Sequence, residues 1–326
     1  MASPLPKVVF TAPVSEMPND LLDGRVWVKV LRHKLPLTEE QLIAKLKGAS
    51  GALCFLSDPL TGRVLESCPK LKGVALHAVG YNNVDVAAAS RLGITVTYTP
   101  GVLTEATADL TWALILGACR RVVEGDKMVR AGRFKGWDAG LLLGMDLRDK
   151  TLGIVGLGRI GQAVARRAIP FGLRVAYAQR KHADAAVEAA LGARYLPLDD
   201  LIRESDILSL HCPLTIETDH LLSRERLFAM KPGAVLINAS RGPLVDESAL
   251  AEALETGHLF AAGLDVFERE PEVHPALRRI PNVVLMPHAG SAGRETRAAM
   301  ARMAISDLLA VLEGRAPKHP VPRTEG

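Results

Sequence analysis

The sequence has few cysteines, and none in a pairing pattern. Cys54, Cys68, Cys119 and Cys212 are all it contains, and no two of them form a C-x-x-C pair. Nothing in that spacing supports a disulfide framework or a zinc site, so no metal is expected. The thiols read as small buried apolar residues in a reducing compartment. Long apolar runs are missing too. The longest apolar helical candidate, Leu110 to Cys119, is too short to span a bilayer and runs into Arg120-Arg121. The opening Met1-Ala-Ser-Pro-Leu-Pro-Lys lacks a basic stretch followed by an apolar one, so no secretory signal is expected and a cytoplasmic location fits. The net charge of +4 comes from Lys and Arg spread along the chain, with no basic patch to favour nucleic acid. There is no internal repeat and no low-complexity tract.

What is present is a chain of 326 residues, 48% hydrophobic and 23% charged, long enough for two domains with ample cores. Two trains of short β-rich runs alternate with helical patterns. The first holds Lys7 to Thr11, Val26 to Leu31, Gly51 to Leu56, Val74 to Val79 and Ile94 to Tyr98. The second holds Leu152 to Val155, Arg174 to Ala178, Ile207 to Leu210, Ala234 to Asn238, Ala261 to Val266 and Val283 to Met286. Apolar runs of this kind, separated by helices, indicate parallel sheets buried on both faces. Each train therefore reads as its own open α/β sheet. One long helix, about Glu105 to Ala131, is expected between the trains, and a final helix from Glu295 to Glu313 follows the second. If that last helix returns to the first sheet, the second domain is an insertion. The expected layout is then residues 1–99, 100–290 and 291–326, with the middle segment as the inserted domain.

The most specific local signal is Gly156-Leu157-Gly158-Arg159-Ile160-Gly161. It follows the apolar run Thr151 to Val155 and opens the amphipathic run Arg159 to Phe171. A strand ends, the chain turns tightly, and a helix N-terminus points free N–H groups outward. The first glycine allows the turn, the second lets backbone approach a pyrophosphate, and the third lets helix pack on strand. With a second strand following at Arg174, dinucleotide binding is the strong reading.

In open α/β sheets, ligands bind outside the carboxyl ends of the strands. Arg241, Glu270 and His288 each follow a strand of the second train. Carbonyl reduction calls for this set. A guanidinium grips a carboxylate and polarises a carbonyl, an imidazole donates a proton near neutrality, and a carboxylate beside the imidazole favours its charged form. Singly, each also has an ordinary reading as a surface or structural residue. Together, beside a dinucleotide turn, they point to a reaction site.

The chain resembles the D-isomer-specific 2-hydroxyacid dehydrogenases along nearly its whole length, and within them the glyoxylate/hydroxypyruvate reductases. The matching stretches are Val79 to Asp85, Tyr98 to Asp109, Gly153 to Gly161, Asn238 to Gly242, Gly263 to Phe267, Glu270-Pro271 and Pro287 to Ser291. The resemblance implies a Rossmann dinucleotide-binding domain inserted into a flavodoxin-like substrate domain, and a homodimer. It gives Arg241, Glu270 and His288 the roles argued above. Val79 and Gly80 match the loop whose N–H groups hold the substrate carboxylate. Gly158, Arg159 and Ile160 match pyrophosphate contacts. Thr107, Pro213, Ala239, Asp265 and Gly290 join Gly156 and Gly161 as expected cofactor contacts, with Asp265 also open to a purely structural reading. Trp137 is expected either to reach from one subunit into the other's substrate pocket or to anchor the dimer interface.

One departure from the NAD pattern concerns the cofactor. No Asp or Glu stands about 20 residues beyond the glycine turn, where it would bind the ribose 2′-OH. The second strand ends instead in Gln179-Arg180-Lys181-His182. Arg180 and Lys181 suit a 2′-phosphate, so NADP(H) is the expected preference and NAD(H) a usable alternative, unless this is only a solvated basic loop. The expected function is NADPH-dependent reduction of glyoxylate or hydroxypyruvate. A bulkier 2-oxo acid (hydroxyphenylpyruvate, 2-ketogluconate) and a dinucleotide-sensing corepressor stay open as alternatives.

Overall fold

The computed structural model describes residues 4–32 and 36–322, so Met1, Ala2 and Ser3 of the opening stretch lie outside the described residues. Two compact units divide the chain: Met1–Leu103 with Ser291–Gly326, and Thr104–Gly290. The division falls at Thr104 rather than at residue 100. Thr99 is still tied to the first sheet through its N–H and hydroxyl, which donate to the Ala78 carbonyl at 2.8 and 3.0 Å. Leu103 is buried, and a helix starts only at Thr104.

The first unit holds five strands, β1 (Lys7–Phe10), β2 (Trp27–Val30), β3 (Gly51–Cys54), β4 (Gly73–Leu76) and β5 (Thr95–Thr97). They are all parallel, in the order β2-β1-β3-β4-β5, the flavodoxin-like arrangement. Every residue of β3 and β4 is buried, because helices cover both faces. The helix Glu39–Leu46 starts at a capping box in which Thr38 and Gln41 exchange hydrogen bonds, and it buries Leu42 and Leu46. The last helix, Arg294–Leu312, returns to this sheet. It packs Ala304, Ile305, Leu308 and Leu309 on Val8, Phe10, Leu53 and Ala75. Gly73 makes that approach possible, since a Cβ there would lie 2.9 Å from the Val311 side chain.

The second unit holds seven strands: β6 (Thr151–Val155), β7 (Arg174–Ala178), β8 (Ala193–Tyr195), β9 (Ile207–Leu210), β10 (Ala234–Asn238), β11 (Leu259–Leu264) and β12 (Val283–Leu285). The order β12-β11-β10-β9-β6-β7-β8 is parallel throughout and reverses between β6 and β9, as in a Rossmann sheet. All strand carboxyl ends therefore share one edge. The glycine turn after β6 sits at the reversal, with the loops after β7 and β9 on either side. The ends of β10, β11 and β12 form the other half of the same edge.

Two elements differ from expectation. β8 is a short edge strand that the apolar pattern does not announce. The expected long helix is two helices, Thr104–Cys119 and Val122–Arg130, broken where Arg121 adopts a left-handed φ of 53°. The break is tertiary. The Cys119 carbonyl accepts the Met145 N–H at 2.8 Å instead of continuing the helix, and Arg121 pairs with Glu124. No described helix is long and apolar enough to cross a membrane.

Candidate active site

The glycine turn is built as its spacing requires. Gly156 has φ 96°, and a Cβ there would fall 2.9 Å from the backbone of His211 and Cys212. A Cβ on Gly161 would fall 2.2 Å from the Gly156 carbonyl, so only glycine lets the helix Arg159–Ala168 pack on the turn. Beyond Ala168 the run continues as one 3-10 turn, Ile169–Phe171. At Gly158, the helix N-cap, a Cβ would meet nothing within 4 Å. The turn thus leaves open space above Gly158, next to the first N–H groups of a helix, where Arg159 and Ile160 stand. That geometry fits a pyrophosphate.

The peptide of Leu157, at the crest of the turn, is held from both sides. Its N–H donates to Gln179 Oε1 at 3.0 Å, and its carbonyl accepts Gln162 Nε2 at 3.1 Å. Gln179 therefore braces the turn from the end of β7. Arg180 and Lys181 follow it, exposed and in no salt bridge among the described residues. The Glu217 carboxyl lies below its usual range through a Thr215 hydrogen bond and, in smaller part, the charge of Arg180. Arg180 is thereby near the loop after β9, which also carries Pro213; the Pro213 carbonyl accepts the Thr218 hydroxyl at 2.8 Å. Burial pushes the Cys212 thiol up to about 11, which disfavours its thiolate at neutral pH.

On the other half of the edge, His288 Nδ1 and Glu270 Oε2 are 2.8 Å apart, and Glu270 Oε1 accepts the Phe267 N–H at 3.1 Å. Burial pushes the Glu270 carboxyl up, but the hydrogen bond and charge of His288, the Phe267 N–H and the charge of Arg241 outweigh it, leaving the carboxyl below its usual range. Arg241, just past Ala239 at the end of β10, is held by its own segment. Asn238 Nδ2 donates to the Arg241 carbonyl at 2.8 Å, and the guanidinium donates to the Ser240 carbonyl at 2.6 Å. Burial lowers the affinity of this guanidinium for its proton, with the charge of Glu270 opposing. A poorly hydrated cation coupled to a carboxylate–imidazole pair can bind an anion and deliver a proton beside it.

His288 has a left-handed φ of 52°, a costly conformation for a residue with a Cβ. Asp265 holds it there. The Asp265 carbonyl accepts the His288 N–H, and its carboxylate oxygens accept the N–H groups of Ala289 at 2.7 Å and Gly290 at 2.8 Å. Asp265 is 1% exposed; burial pushes its carboxyl up against the pull of those amides. The Asp265 carboxylate is thereby bonded into the turn that carries His288. Gly290 lies against Asp265 and Thr107, whose atoms a Cβ would meet at 3.2 to 3.5 Å. Val79 and Gly80 belong to the first unit, half-buried just beyond β4. Trp137 belongs to the second and is 86% exposed.

The family model of the D-isomer specific 2-hydroxyacid dehydrogenase, NAD binding domain, matches residues 112–290. The chain belongs to the D-isomer specific 2-hydroxyacid dehydrogenases. A glyoxylate reductase of Aeropyrum pernix is 48% identical to it, over 98% of this chain and 96% of its own. A protein of Thermus thermophilus has a TM-score of 0.91 at 49% identity, covering 97% of this chain and 100% of its own. An NADPH-dependent glyoxylate/hydroxypyruvate reductase of Sinorhizobium meliloti, solved with NADP and malonate, has a TM-score of 0.85 at 34% identity, covering 98% and 99%. The dehydrogenase uses NAD(P)H to reduce a 2-oxo acid to the 2-hydroxy acid.

Proposed function

We propose that this dehydrogenase reduces glyoxylate or hydroxypyruvate, with NADPH as its preferred reductant. The observation that carries the reading is the His288–Glu270 hydrogen bond, electrostatically coupled to the desolvated guanidinium of Arg241. Arg241 binds the substrate carboxylate and polarises the adjoining carbonyl. When bound, the reduced nicotinamide supplies the hydride. His288 gives a proton from Nε2 to the carbonyl oxygen as that oxygen gains charge. Glu270, engaged at Nδ1, keeps the ring oriented. The glycine turn from Gly156 to Gly161 holds the pyrophosphate, while Thr107, Pro213, Ala239, Asp265 and Gly290 border the dinucleotide. Glyoxylate is named by the Aeropyrum pernix relative, and glyoxylate and hydroxypyruvate by the Sinorhizobium meliloti one. Turnover of a panel of 2-oxo acids, followed by NADPH absorbance, tests the reading. Glyoxylate and hydroxypyruvate should have the highest kcat/KM, and a clear preference for hydroxyphenylpyruvate or 2-ketogluconate would overturn it.

The cofactor preference rests on Arg180 and Lys181, exposed beside Gln179 where a carboxylate would repel a 2′-phosphate. Neutral replacements at both positions are expected to lower kcat/KM for NADPH by about tenfold or more while changing NADH little, because only NADPH carries that phosphate. High salt should shrink the wild-type preference, as these side chains are open to screening. An unchanged NADPH/NADH ratio would place the phosphate elsewhere.

The same reading includes a homodimer formed through the segment that carries Trp137. The helix Val122–Arg130 buries none of its residues, and Val122, Val129, Phe134, Trp137 and Leu143 are all exposed on the described chain. Trp137 then limits the partner subunit's pocket to small acids. Trp137→Ala should raise kcat/KM for phenylpyruvate relative to glyoxylate by about tenfold, a step typical of a reshaped apolar pocket, with the dimer intact. Dissociation, or equal losses on both substrates, would make Trp137 an interface anchor instead.

A further inference from the structure

We propose that Glu247 and Glu268 form a reciprocal clamp that holds the Arg241 segment in register with the Glu270 segment. The inference rests on the proposed reaction site and assigns it two positioning residues. Glu247 opens the helix Glu247–Glu255, and at 6% exposure it is a buried carboxylate for which the reaction has no use. Its side chain reaches across to the next strand's loop, where Oε1 accepts the Glu268 N–H at 2.8 Å. In return the Glu268 carboxylate accepts the Glu247 N–H at 3.2 Å. Each carboxylate thus satisfies the other residue's backbone.

Between these bonds the two segments touch directly. A Cβ on Gly242 would fall 1.9 Å from the Phe267 carbonyl group and 2.5 Å from the Glu268 nitrogen, so the residue after Arg241 must lie flat on the backbone leading to Glu270. His220 closes the junction from the loop after β9. Its N–H donates to the Pro243 carbonyl at 2.7 Å, and its Nε2 lies 3.1 Å from the second Glu268 oxygen. In the residue that Gly242 touches, the Phe267 N–H fixes Glu270, which fixes His288. Burial pushes the Glu247 carboxyl up, against the backbone hydrogen bonds of Glu268 and His274. A costly buried acid at the seam between two catalytic segments makes sense as a fastener. Displacing the guanidinium relative to the imidazole by about 1 Å is enough to lose up to a hundredfold in rate.

The test measures kcat, KM for glyoxylate and the NADPH dissociation constant for wild type, Glu247→Ala and Glu247→Gln. The clamp predicts that Glu247→Ala lowers kcat by about tenfold or more with NADPH affinity within about twofold. Glu247→Gln, whose amide oxygen still accepts the Glu268 N–H, should restore most of the loss. Unchanged kcat in Glu247→Ala, equal damage in the Gln variant, or parallel loss of NADPH binding would each overturn it. Should Glu247→Ala not fold, Glu247→Asp carries the same test, since the shorter chain withdraws the acceptor; wild-type kcat there would overturn the clamp. A wild-type enzyme that turns over no 2-oxo acid would instead remove the reading of the site itself.

Discussion

Arg241→Ala is expected to lower kcat/KM for glyoxylate by a few hundredfold, a loss of ~3 kcal/mol or more of transition-state stabilisation. The size follows from where the guanidinium sits. It is desolvated enough for burial to weaken its hold on its proton, and it is aligned by the Ser240 carbonyl and by the Asn238 hydrogen bond to its own backbone. In such a site a charge-assisted, two-pronged contact is worth more than in water. The loss should appear in both KM and kcat, since one group binds the carboxylate and polarises the carbonyl. Arg241→Lys should recover little, because an ammonium lacks the planar fork. NADPH affinity, measured by fluorescence titration, should stay near wild type. A variant with wild-type kcat/KM would remove Arg241 from substrate binding.

His288→Ala should act on kcat, by roughly 10²- to 10⁴-fold, the usual worth of a positioned acid. The partner variant Glu270→Gln tests how the imidazole is held. Glu270 Oε2 lies 2.8 Å from His288 Nδ1, and an amide there keeps a contact but not the charge, so kcat should fall by about tenfold or more with NADPH affinity near wild type. Wild-type kcat in Glu270→Gln or in His288→Ala would contradict the proton-donor assignment.

The parts of the molecule that follow from local pattern were legible in the sequence. The buried parallel strands announce themselves as apolar runs. The turn from Gly156 to Gly161 announces itself by its glycines, because a Cβ at the first or third would strike backbone. Arg241, Glu270 and His288 could be placed at the ends of β10, β11 and β12, strands that prove to be neighbours. What depends on distant partners was not legible. Two arginines in a row read as continuing helix, and the break at Arg121 comes from Met145 capturing the Cys119 carbonyl. β8 is three residues long with an exposed Arg194 at its centre, too little apolar pattern to register. Gln179 looked like a missing carboxylate, whereas its amide braces the peptide of Leu157. Nothing local signals that Glu247, in a first helical turn, is buried against Glu268.

The most direct measurement is the structure of the complex with NADP⁺ and oxamate, whose carboxylate and carbonyl mimic those of glyoxylate. The account predicts the oxamate carboxylate on the Arg241 guanidinium. It places His288 Nε2 within hydrogen-bond distance of the amide oxygen, with Nδ1 still on Glu270. Oxamate bound away from Arg241, or with His288 out of reach of its amide oxygen, would contradict it.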